Sequence, residues 1–176
     1  MNLSIILSDP TLKGVKRRQA VVDYLLANDE FLMEVSSLLS QLDERQTATI
    51  LEAIEEVSNK NIKLLREEYL HFAEQFVCAT NNSCKRESSR IIGNLCARFP
   101  QSLSESMPLL FSNTKDPGTV VRWSAAYALS RIVILPNYAK SDLYDTLVAI
   151  EAKEEEPGVK SQYTKALKKA AKLRAQ

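Results

Sequence analysis

Few side chains in this sequence are suited to covalent or metal chemistry, and their spacing is poor for it. His71, Cys78, Cys84 and Cys96 are the only grouping of ligand types, and gaps of seven, six and twelve residues match no compact zinc pattern. The sole histidine argues against a His-based triad, and a Cys–His nucleophile would need a partner that spacing alone does not place. Four scattered glycines form no phosphate-binding loop, so neither a metal nor another cofactor is expected. Asp23 and the cluster from Glu52 to Glu56 are the candidate acids.

Residues suited to binding are better represented. Trp123 and Tyr127 are four positions apart, which on a helix puts both on one face, as an aromatic platform or as packing between helices. Lys16, Arg17, Arg18, Lys85, Arg86, Arg90, Arg122 and Lys160 recur at comparable places along the chain and could contact phosphates or an acidic protein surface. The competing reading is a solvated face on which Arg122 and its counterparts pair with turn acids such as Asp116. The run Glu151–Glu156 reads as a solvated helix end before Pro157, or as docking charge for a basic partner. Lys165, Lys168, Lys169, Lys172 and Arg174 near the C-terminus complement a helix dipole.

The elements that must position these residues are helices. Four glycines, six prolines and 7% aromatics suit long helices joined by short turns, and 45% hydrophobic residues can form a core without disulfides or metal. The formal net charge of +1 excludes a strong overall field toward nucleic acid or membrane. No apolar stretch approaches the ~20 residues of a membrane-spanning helix. The run Leu3–Leu7 is interrupted by Ser4, ends at Asp9-Pro10 and has no basic residue before it, so it does not read as a signal peptide. Three cysteines without a CxxC pair point to a reducing cytoplasm.

A repeated helix–turn–helix unit is visible. Its clearest copy is SLSESMPLLFSN, the turn TKDPG and TVVRWSAAYALSRIVIL, with Asp116 expected to cap the second helix and Pro117 to occupy its first position. Along that helix Val121, Ala125, Ala128, Ile132 and Leu135 alternate steps of four and three and form a packing seam. SDLYDTLVAIEAKE, EEPG and VKSQYTKALKKAAKLRA repeat the pattern, Lys160 lying 38 residues beyond Arg122. Upstream, NIKLLREEYLHFAEQFVCAT, the turn NNS and CKRESSRIIGNLCARF form a third pair. GVKRRQAVVDYLLAN follows a short first helix near Met1 to Ser8, and FLMEVSSLLSQL leads through Asp43 into ERQTATILEAIEEVS. These two units are less regular. The reading is an all-α superhelix, a solenoid of about five antiparallel helix pairs, in one domain over residues 1–176.

The string DPGTVVRWSAAYAL, with its echoes EEPGVKSQYTKAL and DPTLKGVKRRQAVVDYL, resembles the turn and second helix of HEAT repeats. The resemblance implies an armadillo-like curved rod whose second helices line the concave side and bind another macromolecule. The five second-helix segments carry a net +11, so that side should be basic apart from the second repeat. We therefore expect a non-catalytic scaffold with a protein partner, bound through Arg86, Arg90, Arg122, Trp123, Tyr127 and Lys160, without membrane or small-molecule ligand. The alternative is a nucleic-acid-binding protein akin to the HEAT-like alkylation-repair glycosylases, which combine concave aromatics with a catalytic acid. No Asp or Glu occurs between Pro117 and Lys140, which counts against it. A cofactor-attaching lyase, the third reading, would also need an acid in the groove, for which Asp23 or Glu52 to Glu56 are the candidates.

Overall fold

The computed structural model describes residues 2–175, which contain helices and no strand. The helices are α1 (Leu3–Ser8), α2 (Val15–Ala27), α3 (Phe31–Leu38), α4 (Glu44–Lys60), α5 (Glu68–Glu74) and α6 (Asn82–Leu95), followed by α7 (Ser106–Asn113), α8 (Thr119–Ile132), α9 (Pro136–Ala139), α10 (Leu143–Lys153) and α11 (Pro157–Arg174). The longest, α2, α4, α6, α8 and α11, stack side by side in chain order as one layer. Helices α1, α5, α7 and α10 pack on α2, α6, α8 and α11, and α3, which precedes α4 in the chain, packs on α1. The architecture is thus an all-helical solenoid of five helix pairs, and the irregular N-terminal repeats stack in line with the rest, α2 on α4 and α4 on α6.

Local chemistry accounts for the boundaries. The Asp43 carboxylate accepts from the Gln46 N–H at 2.7 Å while the Gln46 side chain accepts from the Asp43 N–H at 3.1 Å, closing the first turn of α4. Asn81 caps α6 by accepting from the N–H groups of Ser83 and Cys84. Gly14, the residue before α2, has φ +50°, a conformation that an L side chain rarely takes.

Several expected boundaries are corrected. The segment from Asn61 to Thr80 is not one helix. Its first residues form a 3-10 turn over Ile62–Leu64, Leu65 is extended and fully buried, and only Glu68–Glu74 is α-helical. Because α4 persists to Lys60, the chain must reverse at once, and the buried Leu65 side chain anchors that reversal. Similarly, Gly118 and not Asp116 flanks the start of α8, and Pro117 lies outside the helix. Asp116 instead closes the turn by accepting from the Gly118 N–H at 2.8 Å. Pro157 does take the first helical position, in α11. Of the seam residues, Val121, Ala125, Ala128 and Ile132 are buried, whereas Leu135 lies beyond the end of α8 and is half-buried.

The tightest crossing is between α6 and α8. A Cβ placed on Gly93 would lie 2.9 Å from the Ala128 Cα and 3.1 Å from the Tyr127 ring, so the glycine permits this close approach. No helix among the described residues is long and apolar enough to cross a membrane.

Candidate functional site

Stacking of second helices places polar residues from four repeats along one cleft of about 510 Å³. Arg18 comes from α2, Glu52, Glu55, Glu56, Asn59 and Lys60 from α4, Arg86, Glu87 and Arg90 from α6, and Val120 and Trp123 from α8. Steps of three and four within each helix keep these residues on one side, opposite the buried apolar positions such as Leu51, Ile54, Ile91 and Ile92.

The cleft's cations are matched by its own carboxylates. Arg18 approaches Glu56 at 3.0 Å, and Lys60 reaches the same carboxylate at 2.7 Å. Arg86 lies 2.5 Å from Glu87 and 3.6 Å from Glu52. Arg90 bridges Glu55 at 2.8 Å and Glu87 at 3.5 Å. The basic ridge expected from the second helices is therefore neutralised here, because the negative repeat, α4, lies between α2 and α6.

Below these pairs is a buried polar network. Glu55 and Glu87 are 8% and 3% exposed. Asn94 donates to Ser58 Oγ at 2.8 Å and to Glu55 at 3.4 Å, and accepts from the Tyr127 hydroxyl at 2.6 Å. Burial pushes the Glu55 carboxyl above its ordinary range against the pull of Arg90, and the neighbouring Glu87 adds to the rise. The Tyr127 phenol is likewise raised by burial. Trp123 stacks on Tyr127, with ring centroids 5.6 Å apart and planes inclined by 21°, and the Arg131 guanidinium lies 4.9 Å from the Tyr127 centroid.

The residues singled out from the sequence are thus divided. Arg86, Arg90 and Trp123 meet in the cleft, and Tyr127 sits behind Trp123, half-buried. Arg122 does not join them. It follows a separate groove of about 1030 Å³ lined by residues of α7, α8 and α10, and binds Glu154 at 3.1 Å and the carbonyl oxygens of Asp116 and Pro117 at 3.0 and 3.3 Å. Lys160 stands on the first turn of α11, outside both, with no ion-pair partner among the described residues. The Glu52–Glu56 cluster lies beside Trp123, so the acids absent from α8 are supplied by α4 and α6.

The expected pairing of Arg122 with the Asp116 carboxylate is replaced by a ladder between repeats. Lys85 of α6 bonds the Asp116 carboxylate at 2.7 Å, and Arg122 of α8 bonds Glu154. Asp116 and Glu154 each accept a backbone N–H two residues on, from Gly118 and Glu156. Glu154 lies 38 residues after Asp116, the offset that also equates Lys160 with Arg122, so the sequence period held this signal. Glu87, Asn94 and Val120 were not marked by sequence. Their importance comes from neighbours in other repeats.

The metal-ligand types do not assemble: among the described residues no three of His, Cys, Asp and Glu are placed to hold an ion. Cys78 is exposed, while Cys84 and Cys96 are buried, their thiols pushed up to about 11 by desolvation. His71 pairs with Glu74 at 2.9 Å on the surface.

No protein-family model matches the sequence, and no curated protein does either. Two solved structures are similar in fold. One is the complex of CpcE and CpcF of phycocyanin lyase from Nostoc sp. PCC7120, with a TM-score of 0.65, 16% identity, and coverage of 93% of this chain and 96% of that one. The other is an engineered protein, with a TM-score of 0.67, 13% identity, and coverage of 97% of this chain and 80% of that one. At these identities the likeness shows the fold alone, an all-helical solenoid.

Proposed function

We propose that residues 1–176 form one HEAT-repeat domain that acts as a non-catalytic scaffold in the cytoplasm, where its free thiols stay reduced, and receives a protein partner in the cleft across α2, α4, α6 and α8. The observation that carries this reading is charge cancellation around an apolar pair. Val120 is 56% exposed and Trp123 is half-buried beside it, while every cleft cation has a carboxylate partner. A phosphate would have to displace one of those carboxylates. A protein segment could insert an apolar side chain against Trp123 and exchange hydrogen bonds with the Arg–Glu pairs at its rim. That CpcE and CpcF form a complex supports a protein partner for this fold. Catalysis by Glu55 is disfavoured because Arg90 and Asn94 already engage its carboxylate.

Capture from a lysate of the source cells, comparing the native chain with Val120→Glu and with Val148→Glu on α10, tests the reading. Proteins retained by the native chain and Val148→Glu but lost by Val120→Glu are expected. Equal capture by all three would overturn it.

A further inference from the structure

The cations of the cleft are neutralised, but the lysines of the last helix are not. Lys165, Lys168, Lys169 and Lys172 are all exposed, and none has an ion-pair partner among the described residues. Their spacing puts them in one stripe, opposite Tyr163, Ala166, Leu167 and Ala170, which are buried. Burial of that apolar face fixes the orientation of α11, so the lysines must face solvent. Arg174, at the end of the helix, is held by Asp145 and by the carbonyl oxygens of Ala139 and Ser141, which pins the C-terminal turn.

We infer that the outer face of α11 docks on the phosphate backbone of duplex nucleic acid, independently of base sequence and separately from the cleft. The stripe spans seven residue steps, about 10 Å along the helix at 1.5 Å each. Over that length a duplex presents about six charges, one per ~1.7 Å. Flexible ammonium groups without a rigid hydrogen-bonding fork contact phosphates as point charges. A protein partner is disfavoured because the stripe has no exposed aromatic or large aliphatic residue to serve as an anchor, and lysine is depleted at interface cores. Insertion into a lipid surface is disfavoured because the apolar face of α11 is buried within the fold.

The test is fluorescence anisotropy of the full chain with a labelled mixed-sequence DNA duplex, repeated at several salt concentrations. Four phosphate contacts correspond to a log–log slope of about −3.6, or about 150-fold weaker binding between ~50 and ~200 mM salt. Changing Lys165, Lys168, Lys169 and Lys172 to Gln should weaken binding at low salt at least tenfold with an unchanged thermal midpoint. The charge-matched control, Lys13, Lys63, Lys140 and Lys153 to Gln, should bind like the native chain. Absence of duplex binding at ~50 mM salt, or equal losses in the two variants, would overturn the proposal. So would capture by phosphatidylserine vesicles in place of the duplex. The Val120→Glu variant should keep its duplex binding, so failure of the cleft reading and failure of this one are distinguishable.

Discussion

The Tyr127 hydroxyl donates to Asn94 Oδ1 at 2.6 Å, joining α8 to α6 at the point where Asn94 also reaches Ser58 and Glu55 of α4. Three successive repeats are thus held by one amide that is 4% exposed. Tyr127→Phe removes a single hydrogen bond and should cost about 1 kcal/mol. Asn94→Ala strands the Tyr127 hydroxyl and removes the donor to Ser58 and Glu55, so its cost should be larger, about 2–3 kcal/mol. Urea unfolding should show both as a shifted midpoint with unchanged slope, and equal losses for the two variants would refute the bridging role.

The α6–α8 crossing makes an opposed prediction about helix propensity. Alanine is favoured over glycine within a helix by about 1 kcal/mol, yet Gly93→Ala drives a Cβ to within 2.9 Å of the backbone at Ala128. Overpacking should prevail, with a net destabilisation of about 1–3 kcal/mol and a lowered thermal midpoint.

Acid should loosen the ladder between repeats. For Asp116, burial raises the carboxyl, but Lys85 and the Gly118 N–H outweigh it and hold it below its ordinary value. For Glu154, burial is likewise overcome, by Arg122 and the Glu156 N–H. Because the folded pKa of each is lowered, their stabilisation is present above the unfolded values of 3.8 and 4.5 and is lost as pH falls through the folded ones. The thermal midpoint should drop as pH falls below about 4.5, and Asp116→Asn with Glu154→Gln should flatten that acid limb.

Thiol reactivity should separate the cysteines. Cys78 is exposed, whereas Cys84 and Cys96 are 2% and 1% exposed with thiols pushed up to about 11. A disulfide reagent at neutral pH should titrate one thiol quickly in the folded protein and all three after denaturation. Rapid reaction of Cys96 would show that the α6 layer opens readily.

Trp123 is shared between packing and surface. Its stack on half-buried Tyr127 predicts that Trp123→Ala lowers stability by about 1–2 kcal/mol, less than the 3–5 kcal/mol of a fully buried aromatic. Partner capture should fall further than the fraction unfolded explains.

The sequence by itself determined the architecture, because alternating steps of three and four, as in Val121, Ala125, Ala128 and Ile132, can bury an apolar face only by stacking helices side by side. It also marked Trp123 and the acidic α4 segment. Tertiary structure decided which charges are free. Arg86 and Arg90 look exposed along a single basic helix, but packing of α4 against α6 brings Glu52 and Glu55 to them, a contact between residues more than 30 positions apart. Arg122 and Trp123 are adjacent in the chain yet project about 100° apart around α8, so they serve different grooves. Local periodicity specifies the face that each residue occupies, whereas the charge opposite it is set only when the repeats stack.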